Sequence, residues 1–223
     1  MKKIILSLLA SAALVAPVSA DPLKDSEYFT MHSMGCMLLQ ECTDEIEEIT
    51  SILDVSSQYS NTEQFYSVAD EFHSMLVSLN QIGVRVFLAN EKYFPVSHRG
   101  VYHTVGNNFF LNKAFMGRPN VLMSVMRHEG WHAAQDCMAG TIDNSLIAII
   151  KPEDEVPMLW REMVESAYPE SAWPWEKEAT WAGKTEGMTS AALAACAKGN
   201  MWEVYEPTPL TREYLVKEGY ITK

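Results

Sequence analysis

Residues 128–132 of this chain read His-Glu-Gly-Trp-His, two histidines four positions apart with a glutamate directly after the first. On a helix that step is about one turn, so His128 and His132 project from one face. Two imidazoles so placed hold one Zn²⁺, and Glu129 then stands where it takes a proton from water polarised by the ion. The chemistry expected is zinc-assisted hydrolysis of peptide bonds, with Glu129 as general base and a peptide or protein as substrate.

That chemistry requires a helix under the motif, and the flanking residues predict one over 119–139. Pro119 suits a first helical position and Gly140 the position just past a helix end. Between them Val121, Leu122, Val125 and Met126 recur at helical spacing. Gly130, inside the motif, permits close approach of a neighbouring element, and Trp131 reads as core. Further helices are expected over 26–54 (two, meeting near 41–43, with Thr43 as a cap), over 62–80, 153–167, 174–187 and 189–198, and in a last segment capped by Thr211. Ala191, Ala192, Ala194 and Ala195 allow the 189–198 helix to pack closely. Strand alternation runs through Val84, Val86 and Leu88, and segments 101–105 and 108–111 flank the turn pair Gly106-Asn107 as a hairpin. The fold class expected is α+β, mostly helical with a small antiparallel sheet.

Two histidines do not complete a catalytic zinc site, which takes three protein ligands and keeps one place open. The extended metzincin pattern needs glycine three and histidine six residues beyond His132, where this chain has Gln135 and Met138. His32, His73, His98 and His103 all precede the motif. The remaining source is the downstream segment 173–183, Trp-Pro-Trp-Glu-Lys-Glu-Ala-Thr-Trp-Ala-Gly. Over residues 119–183 the chain resembles the gluzincins, H-E-x-x-H metallopeptidases whose third ligand is a glutamate on a second helix, and its Glu-x-Glu-Ala-x-x-Ala run is similar to that helix in small bacterial and phage-type members. The resemblance implies a zincin-like active-site helix and a ligand at Glu176 or Glu178. Glu176 shares its face with Ala179, Thr180 and Gly183, small enough for close helix approach; Glu178 lies further inside the helix, where a first-turn capping role is less natural, and is preferred, with Glu176 the alternative. The aspartate that the family carries four residues after its ligand is replaced here by Thr180 or Ala182. Tyr168, His103 and Tyr102 are candidates for stabilising the oxyanion, and Gln135 for supporting a ligand. Segment 101–105 or 108–111 is a candidate edge for aligning an extended substrate.

The rest of the chain sets bounds. Lys2 and Lys3, the apolar run Ile4 to Val15 and the small residues Val18-Ser19-Ala20 read as a signal peptide over 1–20, leaving 21–223 as one domain of an exported, periplasmic or secreted protein. A formal net charge of −12 argues against nucleic acid or anionic lipid as a partner. Four cysteines in an exported chain predict disulfides, with Cys36–Cys42 and Cys137–Cys196 the favoured pairing. The competing reading is a non-catalytic exported metal-binding or interaction protein with a vestigial site.

Overall fold

A computed structural model describes residues 33–140, 142 and 146–222. The leader expected over 1–20 lies outside the described residues, as do 26–32 of the first expected helix.

The protein is α+β and mostly helical, and its elements are arranged around the motif helix. In chain order they are α1 (Met34–Leu38), β1 (Ile46–Glu48), α2 (Ile52–Ser56), α3 (Ala69–Gln81), β2 (Arg85–Ala89), β3 (Gly100–His103), β4 (Asn108–Asn112), α4 (Pro119–Met138), α5 (Met158–Ala167), α6 (Trp173–Lys184), α7 (Met188–Ala197), α8 (Met201–Val204) and α9 (Pro209–Lys217). Pro119 opens α4, and Gly140 takes φ 127 just beyond its end, as the sequence predicts. The helix is buried nearly all round rather than along one stripe: Leu122, Met126, Trp131, Ala133, Ala134 and Met138 are all enclosed. A Cβ on Gly130 would sit 3.0 Å from Met75 Cε and 3.1 Å from Thr189 Cγ2, so glycine there lets α3 and α7 close onto α4. Ala192 and Ala195 bring α7 in on its own side, and Thr189 Oγ1 donates to the Arg127 carbonyl at 2.8 Å.

The sheet has the order β1-β2-β4-β3. β3 and β4 form the expected antiparallel hairpin, with Asn107 at φ 50 in its turn. The sheet is mixed rather than purely antiparallel, because β4 inserts beside β2 in parallel, Arg85 opposite Asn108 through Ala89 opposite Asn112. The excursion through residues 90–99 carries the chain past β2 before the hairpin turns back, leaving β3 at the edge against α4. Both faces are covered. Val86, Leu88, Tyr102, Phe109 and Leu111 pack toward the helices, while Phe87, Ala89, Val101 and Phe110 meet Met34, Met37 and Phe94.

The helices expected over 26–54 are corrected. Within the described part of that range only 34–38 and 52–54 are helical, and Ile46–Glu48 is a strand. Glu45 enters the left-handed region at φ 57, Ile46–Glu48 then pairs with β2, and the Ile49 amide donates to the Val86 carbonyl at 2.8 Å. Thr43 therefore caps no helix. Helix α5 begins after Pro157 rather than at 153, and the α9 cap is Thr208, whose hydroxyl accepts from the Thr211 amide.

Disulfides Cys36–Cys42 and Cys137–Cys196 form, the second joining the end of α4 to α7. Both suit an oxidising compartment. No described helix is long and apolar enough to cross a membrane.

Three helices are tied by one carboxylate. Glu71 of α3 accepts from Arg127 Nε of α4 at 2.9 Å and from the Gly187 amide ahead of α7 at 3.0 Å. Burial opposes its charge, but the guanidinium and the amide outweigh that and hold its carboxyl below the ordinary glutamate value of 4.5. A depressed carboxyl contributes stability above its unfolded pKa and loses it as pH falls through the folded value. Glu71→Gln is accordingly expected to destabilise by about 2 kcal/mol at neutral pH. The gap from the parent protein should close below about pH 4. Urea melts at the two pH values check this; a gap independent of pH would refute it.

Candidate metal centre

The central helix presents His128 and His132 on one side, with ring centroids 5.0 Å apart and planes nearly perpendicular. Helix α6 crosses that side at close range. A Cβ on Gly183 would lie 3.1 Å from the Ser124 carbonyl and 3.2 Å from His128 Cβ, so α6 approaches this closely only through glycine. Ala179 is fully buried on the same face. The approach delivers Glu176, whose Oε2 lies 3.2 Å from His128 Nε2 and whose Oε1 lies 3.6 Å from His132 Nε2. One ligand atom from each of His128, His132 and Glu176 falls within 4.8 Å of the others.

Glu178 does not join this group, and the preference for it over Glu176 is reversed by the geometry. Its carboxylate is fully buried, two residues and about 200° round α6 from Glu176. There it accepts from the Ile150 amide at 3.1 Å, from the Lys151 amide at 2.6 Å and from the Gln135 side-chain amide. Burial still pushes its carboxyl up to about 7 against those donors. The Gln135 nitrogen also donates to the Trp175 carbonyl at 3.2 Å. Its two acceptors fix the amide orientation, so Gln135 Oε1 must be an acceptor toward His132 Nδ1, 2.7 Å away. The network thus assigns the proton of neutral His132 to Nδ1 and leaves a lone pair on Nε2.

That lone pair is what makes the site fit a cation. His132 Nε2 is buried, lacks a hydrogen-bond partner and faces a carboxylate oxygen. Two acceptors facing each other in a buried site repel unless a proton or a metal ion lies between them. Burial takes His132 down to about 4, so its own ring does not supply that proton near neutrality. Burial opposes charge on His128 too, but the nearer Glu176 carboxylate outweighs it and shifts that ring up. Two imidazole nitrogens and a carboxylate, with a hydrogen bond orienting one imidazole from behind, suit Zn²⁺ by donor type.

Glu129 lies beside this triad, 2 % exposed, with its Oε2 accepting from the Tyr102 amide at 3.1 Å. Burial pushes its carboxyl up to about 7; His128 and the Tyr102 amide oppose, and the Glu176 carboxylate adds. The contact with β3 depends on a residue that sequence reasoning missed. A Cβ on Gly100 would stand 2.6 Å from Val125 Cγ1 and 3.1 Å from Glu129 Cγ, so only glycine lets the edge strand reach the motif helix. Nothing local in the sequence distinguishes Gly100 from a turn glycine.

His128 and Glu129 open onto a cleft of about 160 Å³ between β3, α5 and α6. Of the three oxyanion candidates, Tyr168 stands on its wall. Burial, with the charges of Glu176 and Glu129, pushes the Tyr168 hydroxyl far above its ordinary range, so it is a neutral donor. Tyr102 turns its hydroxyl to Asp136 Oδ2 at 2.8 Å and offers Glu129 only its amide. His103 sits at the hairpin turn against Gly106, off the cleft. Of the two candidate edges, β4 lies inside the sheet and β3 alone is at its margin.

No protein-family model, curated protein or solved structure matches this chain.

Proposed function

We propose that this protein is an exported zinc-dependent metallopeptidase, periplasmic or secreted, acting on peptide or protein substrates. The observation that carries the reading is the buried His132 lone pair directed with His128 at Glu176, next to a carboxylate that opens onto a cleft. His128, His132 and Glu176 are the residues that would hold zinc. Bound there, the ion supplies a Lewis acid that polarises a carbonyl and acidifies water near neutrality.

The chain's own groups do the rest. Glu129 takes a proton from the attacking water and returns it to the leaving amine, a task suited to a carboxyl pushed up to about 7. Tyr168 offers its hydroxyl to the oxygen on which negative charge develops. The edge strand β3, held to α4 through Gly100 and the Tyr102 amide, lies where an extended substrate can pair along it. Gln135 and Glu178 keep the His132 ring in its liganding orientation. The two disulfides and the acidic charge accord with export and with a protein rather than nucleic-acid partner.

The test is metal content together with turnover. Purified protein is expected to carry one zinc per chain and to cleave members of a broad peptide library. Chelation should abolish cleavage, and zinc at 100 times its dissociation constant should restore it with about 3 kcal/mol of added stability. Absence of bound zinc would refute the reading. Stoichiometric zinc without cleavage of any peptide would favour the non-catalytic metal-binding protein instead.

A further inference from the structure

The cleft beside the metal site carries two cations that the described residues leave without carboxylate partners. Arg99 lies one residue before Gly100 on the β3 side, and Lys184 ends α6 on the other. Neither forms an ion pair with a carboxylate among the described residues. Lys184 Nζ donates to Ser124 Oγ at 2.8 Å, and the Arg99 guanidinium rests over the Phe115 ring, 5.5 Å from its centre. Among the described residues lining the cleft, Glu129 alone carries a carboxylate. Val125, Met163, Val164 and Ala167 make the remaining wall apolar. Arg85, Lys92 and Arg212 are paired with glutamates, whereas Arg118 and Lys198 are exposed and, like Arg99 and Lys184, form no ion pair among the described residues. What sets Arg99 and Lys184 apart is that both line the cleft beside the metal site. Burial, Arg99 and Arg127 together push the Lys184 ammonium down, so this cluster bears like-charge repulsion that an anion would relieve.

Resting on the peptidase reading, we infer that Arg99 and Lys184 form an anion-recognising subsite, and that preferred substrates carry a carboxylate within two residues of the scissile bond. The distance sets that position. Ser124, which holds the Lys184 ammonium, precedes His128 by one helical turn, about 6 Å along α4. An extended peptide advances about 3.3 Å per residue, so one or two residues span the interval. An acidic side chain and a free C-terminal carboxylate present the same chemistry, and only the experiment separates them.

The test is binding of peptides to zinc-loaded Glu129→Gln protein, in matched sets. One set exchanges Glu for Gln at each of the two positions on either side of the bond, with amidated ends. A second keeps neutral side chains and exchanges a free C-terminus for an amide. In one set or both, the carboxylate form is expected to bind about tenfold more tightly at low salt, and less so at high salt. The set that shows the difference identifies the source. Arg99→Gln and Lys184→Gln should each remove most of the preference, and Lys184→Glu should reverse it, with zinc content unchanged. Equal binding of charged and uncharged forms, no measurable binding of either, or a preference that survives both substitutions would overturn the inference. Cleavage of neutral peptides by the unmodified chain without charge preference would leave the peptidase reading standing. A charge preference without any cleavage would keep the subsite and remove the peptidase.

Discussion

Glu129→Gln is expected to keep one zinc per chain and to lose about 10³-fold in kcat/KM. The substitution is nearly isosteric, and an amide oxygen can still accept from the Tyr102 amide that now reaches Glu129 Oε2. What it removes, on the proposed mechanism, is the basic lone pair that would take the proton of the attacking water. It also removes a buried carboxyl whose charged form is disfavoured where it stands. An uncharged amide is less costly to bury, so thermal stability should hold or rise. The combination of intact fold, intact metal and lost turnover separates a base from a structural residue. Zinc analysis, a melting curve and steady-state kinetics on one cleaved peptide measure all three. A variant that turned over within a few-fold of the parent would remove Glu129 from the mechanism.

The parts of the fold that were legible in the sequence are those whose cause is local. Helix α4 announces itself through Pro119, Gly140 and apolar residues at helical spacing, and the β3–β4 hairpin through Gly106-Asn107 between two apolar runs. Strand β1 has no such signal. Residues 46–48, Ile-Glu-Glu, hold one strand former and two glutamates, too short and mixed a run to read as a strand, and they are one because β2 offers a hydrogen-bonding edge some forty residues later in the chain. The parallel pairing of β2 with β4 is likewise a property of the path between them. At the site, the small face of Ala179, Thr180 and Gly183 beside Glu176 is the physical signal that the geometry follows, because Gly183 is where α6 touches His128. A first-turn glutamate is as readily explained by the helix dipole, which from sequence alone favours Glu178. What made Glu178 look like a ligand was its depth in the helix. Its burial is instead explained by the Ile150 and Lys151 amides, donors on an irregular connector that no periodicity reveals.

The division of labour between the two glutamates makes the second large prediction. Glu176→Gln should weaken zinc binding by at least about 10³-fold, because it removes the only anionic member of the triad. The metal-free protein should change little in stability, since the substitution removes both a costly contact with the His132 lone pair and a favourable one with His128. Glu178→Gln should do the reverse in emphasis. Its new amide nitrogen would face the Ile150 and Lys151 amides or the Gln135 nitrogen, donor against donor, in a fully buried place. The metal-free protein should therefore lose about 2–3 kcal/mol. Zinc affinity should fall only about 10- to 100-fold, as Gln135 loses its anchor and His132 its orientation. Competition with a chromogenic chelator gives the affinities and urea melts of stripped protein give the stabilities. If Glu178→Gln lost the metal while Glu176→Gln retained it, the triad would have to be redrawn around Glu178, and with it the account of why His132 carries its proton on Nδ1.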